Sequence, residues 1–352
     1  MINSKPINTL GELEIRRGKM EQIILEGNQP YVKDIEVKFS PVKMLDGSVK
    51  IMPVKVGDGS IIKLFDKTPY PEKPTDVVCP HFLELKWANG CYFNCAWCYL
   101  QGTFRFRPMK KRPYLKDMNK TITHILAFFH KVKEPYILNS GELSDSLVFE
   151  ANGAALSTNI APLFIQQNKH KLLIVTKSSF VKRLLDLPSS KNIIVSFSIN
   201  AKNVAARWEK GAPSVEKRLE AARELQEKGF ELRLRIDPMV PVENWREHYK
   251  QLLIDIFETY NLSPHRITLG SLRGLQSTIN NAWDKSWVKY LDEKSNWGKR
   301  IKLGKRLAMY SFVKSYLESH YDYTNIALCK ETIEVWNQLG MDYRKIRCNC
   351  ID

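Results

Sequence analysis

Cys91-Tyr92-Phe93-Asn94-Cys95-Ala96-Trp97-Cys98 packs three of the chain's seven cysteines into eight residues. Thiolates at this spacing can close on three irons of a cubane and leave the fourth iron open to a ligand. Soft sulfur favours iron–sulfur clusters or zinc over harder ions. A single zinc ion, with a fourth ligand from His81 or Cys79, is the alternative. Cysteines clustered this unevenly suit a metal or cluster site better than a disulfide framework, and they point to a reducing, cytoplasmic location.

Outward from this stretch, a strand-like run at 83–87 precedes it and five more follow, at 136–139, 172–176, 193–199, 231–236 and 266–269. Amphipathic helical segments lie between them, most clearly at 213–228. There Pro213 suits a first turn, Leu219, Ala222 and Leu225 share a face, and Gly229 supplies the stop. Six β/α units in series predict a parallel sheet curled into a full or partial barrel, with chemistry at the C-terminal ends of its strands. Before it, residues 22–66 read as short β-prone runs. Ile35 to Phe39 alternates, Asp46-Gly47 and Asp58-Gly59 are turn signals, and Pro69, Pro71 and Pro74 make an extended connector. The expected fold is therefore α/β: a partial (β/α)6 barrel over 81–270, a small N-terminal β-rich piece over 1–80, and a mainly helical C-terminal extension over 271–352.

The composition is that of a soluble globular chain, with 352 residues, 43% hydrophobic and 26% charged. No run approaches the roughly 20 apolar residues of a membrane helix, so no membrane partner is expected. Residues 1–19 lack the apolar core of a secretory leader. The net charge of +16 attracts polyanions, of which nucleic acid is the usual one; a solvated lysine-rich surface is the other reading.

The C-x3-C-x2-C spacing, the aromatic Trp97 before the last cysteine and the β/α series together resemble the radical S-adenosylmethionine (SAM) superfamily. That resemblance implies a [4Fe–4S] cluster on Cys91, Cys95 and Cys98, whose open iron binds the amino and carboxylate groups of S-adenosyl-L-methionine. It also implies an external flavodoxin- or ferredoxin-like electron donor. Ser140-Gly141-Glu142, directly after the second strand, resembles the superfamily's Gly-Glu element, so Gly141 and Glu142 are expected at the cofactor's ammonium. Within the superfamily, several segments resemble spore photoproduct lyases. They are Cys98-Tyr99-Leu100-Gln101, Leu143-Ser144-Asp145, Val175-Thr176-Lys177, Phe197-Ser198-Ile199-Asn200, Lys217 to Ala222, and Asp237-Pro238 followed by Trp245. The resemblance spans roughly 82–352 and leaves the N-terminal piece outside. It implies that Ser144, Lys177 and Ser198 line the cofactor pocket and that Tyr99 sits beside the radical path as a catalytic residue. Read without it, Lys177 is a solvated strand-end lysine, Ser198 a strand hydroxyl bonded to backbone, and Tyr99 a packing residue. One departure matters. Those lyases carry a hydrogen-donating cysteine in the segment aligned with Glu142, and a carboxylate cannot take that role. Either Tyr99 donates, or 5′-deoxyadenosine returns its hydrogen, which suits a radical rearrangement of a base substituent.

Two basic segments bear on the substrate. Phe104-Arg105-Phe106-Arg107-Pro108-Met109-Lys110-Lys111-Arg112 interleaves aromatic and cationic residues, and Asn296 to Arg306 carries Trp297, Lys299, Arg300, Lys302 and Lys305. The second resembles a basic hairpin that the lyase family presses against DNA. Cations contact phosphates and aromatics stack on bases; a basic solvated loop is the alternative. Cys329, Cys348 and Cys350 near the C-terminus could bind a second cluster or a zinc, or be inert buried thiols.

These readings make the chain an enzyme, a radical SAM lyase or isomerase. It would take hydrogen from a thymine-type base or its substituent in DNA, for repair by C–C cleavage or for base modification. The same machinery acting on a peptide or small molecule is one rival; a non-catalytic iron–sulfur or zinc nucleic-acid-binding protein is the other.

Overall fold

The computed structural model describes residues 29–65, 68–151 and 153–352, so residues 1–19 lie outside the described part. Among the described residues, ten strands form one sheet whose spatial order follows the chain. β1 (Val37–Lys43), β2 (Val49–Val56), β3 (Ile62–Phe65) and β4 (Phe82–Leu85) pair antiparallel. From β4 the sheet becomes parallel through β5 (Ile137–Asn139), β6 (Lys171–Thr176), β7 (Ile193–Ile199), β8 (Glu231–Met239), β9 (Arg266–Ser271) and β10 (Ile326–Leu328). β1 and β10 stay at opposite edges, which makes the barrel partial.

Two features differ from the sequence expectation. The parallel part has seven strands rather than six, because β10 comes from the segment expected to be helical. The N-terminal strands extend the same sheet, with Leu64 opposite Leu83, so the expected boundary at 80/81 falls inside it.

Local chemistry explains the elements. Every residue of β7, Ile-Ile-Val-Ser-Phe-Ser-Ile, is buried, as a central parallel strand covered on both faces requires. Asp46 Oδ1 accepts the Ser48 N–H at 2.9 Å and Gly47 takes φ +85°, closing the β1–β2 hairpin. Helix α1 (Met118–Lys131) is capped by Asp117, which accepts the Lys120 N–H at 2.9 Å. In α2 (Val215–Glu227) the cap is Ser214, so Pro213 precedes the helix rather than opening its first turn. Leu219, Ala222 and Leu225 are buried as their spacing predicts, and Gly229 at φ +94° ends the helix. Helices α3 (Trp245–Ile254) and α4 (Leu303–Tyr321) pack together outside the later strands.

The inner face of the later strands is polar rather than filled with aliphatic layers. The C-terminal tail runs across it. Asn349 donates to Ser196 Oγ (2.9 Å) and the Leu234 carbonyl (2.8 Å) and accepts from Thr268 Oγ1 (2.8 Å). Arg233 and Arg266 clamp the tail's carbonyls at Cys348, Asn349 and Ile351. Cys348 and Cys350 are thereby carried into the barrel.

Candidate active site

A cavity of about 880 Å³ opens at the C-terminal ends of the parallel strands. It is lined by Cys91, Cys95, Cys98, Tyr99, Glu142 and Lys177, among others. This volume suits a nucleoside-sized ligand together with a second small group.

The cysteine loop is held by backbone contacts on every side. The Cys91 N–H donates to the Lys111 carbonyl at 2.8 Å, and Ala96 N–H donates to the Trp208 carbonyl at 2.7 Å. Asn94 and Cys95 form a short antiparallel ladder with Lys210 and Glu209. Gln101 Nε2 bridges the carbonyls of Cys95 (3.1 Å) and Ala96 (2.8 Å). The short helix Leu100–Thr103 approaches Gln276–Asn281 so closely that a Cβ on Gly102 would lie 2.7 Å from Ser277 Oγ. Trp97 packs against Trp208 with ring centroids 5.7 Å apart.

Cys91 and Cys95 are buried and Cys98 is half-buried. Burial pushes the Cys95 thiol up to about 12 and Cys91 higher still, so a cation would have to displace their protons. Among the described residues no three His, Cys, Asp or Glu side chains converge on one point where a single metal ion could sit. A cubane differs, since each thiolate takes its own iron. The soft donors, their shared loop and the adjoining cavity fit such a cluster.

After β5 the chain builds the next wall. Asn139 Oδ1 accepts the Gly141 N–H at 2.9 Å, and its Nδ2 donates to Glu142 Oε1 at 3.2 Å, which fixes the carboxylate at the cavity. A Cβ on Gly141 would lie 2.5 Å from Val175 Cβ, so only glycine fits this crossing. Ser144, buried, bridges to Gly90, tying this segment to the cysteine loop. Asp145 accepts from Thr176 Oγ1 (2.7 Å) and from the backbone N–H groups of Lys177 (2.7 Å) and Leu147 (2.9 Å). Burial nevertheless holds its carboxyl above the ordinary range.

Lys177 is not a solvated strand end. Its Nζ lies 3.6 Å from Glu209 Oε1, while Glu209 Oε2 takes the buried Arg218 at 2.5 Å. Arg218 also donates to the Ser198 carbonyl at 3.1 Å. Ser198 lines the cavity, and Tyr99, 38% exposed, faces it from the cysteine loop.

The basic segments divide. Lys111 turns inward and donates to the Cys91 carbonyl at 3.2 Å and to the Phe93 carbonyl. Arg105 donates to the Gly102 carbonyl at 2.6 Å and lies over Phe106, and Arg107 lies over Phe104 and Tyr114. Lys110 and Arg112 are exposed beside Phe106 (84% exposed) and Met109 (53%). The second segment is a hairpin, Glu293–Ser295 with Gly298–Arg300, seated against Arg273–Leu275. A Cβ on Gly298 would collide with the Gly274 carbonyl, which makes this a backbone-on-backbone contact. Trp297 and Lys299 reach the cavity rim. Arg300 is taken by Glu293 at 2.5 Å, and Lys302 and Lys305 lie 4.0 and 3.7 Å from Asp292.

Cys329, Cys348 and Cys350 also line the cavity, and two of them meet arginines. Arg273 donates to Cys329 Sγ at 3.4 Å, and Arg235 to Cys350 Sγ at 2.8 Å. Sequence reading missed Asn139, Glu209, Arg218, Arg235 and the Asp237–Arg273 pair (3.1 and 3.0 Å). The signal for some was present. Glu231, Arg233, Arg235 and Asp237 alternate along one face of an otherwise apolar strand, a pattern that parallel strands buried in aliphatic layers do not show.

The sequence profile of the spore photoproduct lyase family matches residues 82–294, more than half of the chain. The chain belongs to the spore photoproduct lyase family, and so is a radical SAM enzyme of the lyase kind, a class whose cofactors are a [4Fe–4S] cluster and SAM. Curated relatives include the spore photoproduct lyase of Bacillus subtilis, 26% identical over 67% of this chain and 73% of that one. The Geobacillus sp. enzyme is 28% identical over 62% of this chain and 65% of its own. A solved spore photoproduct lyase in complex with dinucleoside spore photoproduct superposes with a TM-score of 0.58 at 20% identity, over 70% of this chain and 75% of that one. It shares the fold. Among the described residues no helix is long and apolar enough to cross a membrane.

Proposed function

We propose that this enzyme carries out radical chemistry on a thymine-type base, or on its substituent, in DNA. The observation that carries the reading is one cavity lined by the three loop cysteines, Glu142, Lys177 and Ser198, with Trp297 and Lys299 at its rim. Cys91, Cys95 and Cys98 would hold the cluster and Glu142 the ammonium of SAM, with Ser144, Lys177 and Ser198 around the cofactor. When bound and reduced by an external one-electron donor, this pair of cofactors supplies a 5′-deoxyadenosyl radical able to take hydrogen from a C–H bond. The chain's own residues orient and enclose. Gln101, Glu209 and Lys111 fix the loop, Trp97 and Trp208 shield its buried side, and Lys177 is neutralised by Glu209. Lys110, Arg112 and Lys299 are placed for phosphates, and exposed Phe106, Met109 and Trp297 for unstacked bases. A base entering the cavity would leave the stack, which costs roughly a few kcal/mol.

A second outcome of the same chemistry, rearrangement of a base substituent, is favoured by Glu142. It occupies the wall position where, by resemblance, the lyases carry their hydrogen-donating thiol. Tyr99, facing the cavity, is then the candidate donor, or the hydrogen returns from 5′-deoxyadenosine.

The test is anaerobic reconstitution followed by incubation with SAM, reductant and DNA containing ordinary, dimerised or substituted thymine. Production of 5′-deoxyadenosine that rises with one of these DNAs is expected. Production indifferent to every DNA would move the substrate to a peptide or small molecule, and none at all would leave a binding protein.

A further inference from the structure

Among the described residues, three arginines line the cavity: Arg235, Arg273 and Arg300. Two of them are neutralised by carboxylates, Arg273 by Asp237 at 3.0 Å and Arg300 by Glu293 at 2.5 Å. Arg235 is the exception. Its Nη2 donates to Cys350 Sγ at 2.8 Å, its Nε is buried without an acceptor, and among the described residues it makes no ion pair within 4.0 Å. The neighbouring arginines on the same inner face also leave one buried nitrogen each without a hydrogen bond, Arg233 Nη2 and Arg266 Nε, but their other contacts are to oxygen: Arg233 to Glu231 and two tail carbonyls, Arg266 to the carbonyls of Cys348 and Ile351. Sulfur is a weak acceptor, so a guanidinium left with a thiol alone keeps most of its desolvation cost. Such a group is stabilised when an oxyanion arrives.

Its position indicates which one. Asn139 Nδ2 contacts both Glu142 Oε1 (3.2 Å) and Cys350 Sγ (3.8 Å), so Arg235's sulfur partner and the Glu142 carboxylate share a neighbour on one wall. Glu142 and Arg235 form no ion pair within 4.0 Å. A guanidinium fork facing a cavity matches a carboxylate's two oxygens.

We propose that Arg235 is a carboxylate-binding residue of this cavity. The carboxylate belongs either to a substituent carried by the thymine base or to the methionine part of SAM. The inference rests on the reading of the cavity as the reaction chamber and names the ligand group it selects.

The test measures anaerobic equilibrium binding to the reconstituted protein by tryptophan fluorescence, for the wild type, Arg235→Gln and Arg235→Lys. The probes are a dinucleotide with a 5-carboxymethyl uracil base, its methyl ester, and SAM. A substrate carboxylate predicts that the wild type prefers acid over ester by roughly tenfold or more, that Gln abolishes the preference, and that Lys keeps part of it. A cofactor carboxylate predicts no such preference, with SAM affinity falling about tenfold in the Gln variant and less in the Lys variant. A wild type indifferent to the ester, together with unchanged SAM affinity in both variants, would overturn the assignment. Circular dichroism checks that each variant is folded, and Lys, which keeps the charge, remains a readout where Gln does not fold. Because binding needs no turnover, this result stands apart from the 5′-deoxyadenosine assay: discrimination without DNA-dependent cleavage would sink the proposed reaction and leave the Arg235 site intact.

Discussion

Glu209 is the backbone ladder partner of Cys95, so the carboxylate that neutralises Lys177 and Arg218 is fastened to the middle cysteine of the loop. Helix α2 supplies Arg218, β6 leads into Lys177, and the cysteine loop supplies the strand that receives Glu209. Charge balance and loop position are therefore one arrangement.

Glu209→Gln should expose this coupling. It leaves Arg218, 1% exposed, without its counter-charge, and removing one partner of a buried pair costs roughly 3–5 kcal/mol. Urea unfolding should show that loss, whereas Glu220→Gln, which breaks a surface pair with Arg223, should cost less than about 1 kcal/mol. Equal effects would show that Glu209 does not hold the loop together.

Cys95→Ala should reduce the visible absorbance and the iron content of the reconstituted protein to background. Cys79→Ala should leave both in place, since Cys79 lies outside the loop and its thiol contacts the Pro80 carbonyl at 3.8 Å. A spectrum unchanged in the Cys95 variant would remove it from the ligand set.

His170 gives the protein an acid-sensitive point. Its ring stacks on Phe129 with centroids 5.3 Å apart, and Nδ1 accepts the Tyr136 N–H at 3.3 Å. Burial lowers its pKa from 6.5 to about 4. Above 6.5 the ring is neutral in both folded and unfolded chains and the stability is fully present. As pH falls from 6.5 towards 4 the unfolded chain takes up the proton first, so stability drops by about 1.4 kcal/mol per pH unit across that window. Urea midpoints at a series of pH values should show the slope, and His170→Asn, which keeps an acceptor but does not titrate, should flatten it.

The rim cations should separate by role. Lys299→Ala is expected to lower DNA affinity and reduce the slope of log K against log salt by about 0.9, the contribution of one phosphate contact. Arg300→Ala should leave the slope unchanged, because Arg300 is already committed to Glu293, and should act through hairpin stability instead. Filter binding over a salt series distinguishes them; identical slopes in wild type and Lys299→Ala would take Lys299 off the DNA path.

Much of the frame was legible in order along the chain. The β/α alternation, the positions of the strands, the helix at Val215–Glu227 and the cysteine spacing are local patterns, set by side-chain periodicity and by the donor chemistry of neighbouring residues. The basic segments were legible only as composition. Whether a lysine faces solvent, as Lys110 does, or is spent on a carbonyl, as Lys111 is, depends on what lies opposite once the chain has folded.

By itself, then, the sequence determined the partial α/β barrel, the three-cysteine loop Cys91–Cys95–Cys98 and the Gly141-Glu142 turn beside it. Tertiary structure alone decided the rest. It added β10 to the sheet, joined the N-terminal strands to the barrel, and laid the tail across its inner face. It also set Glu209 against Lys177 and Arg218, and left Arg235 with a sulfur where its neighbours have oxygens. The physical reason is sequence separation. Arg235 and Cys350 lie 115 residues apart, and no periodicity along the chain encodes which distant group a buried charge meets, or that among the described residues it pairs with no carboxylate.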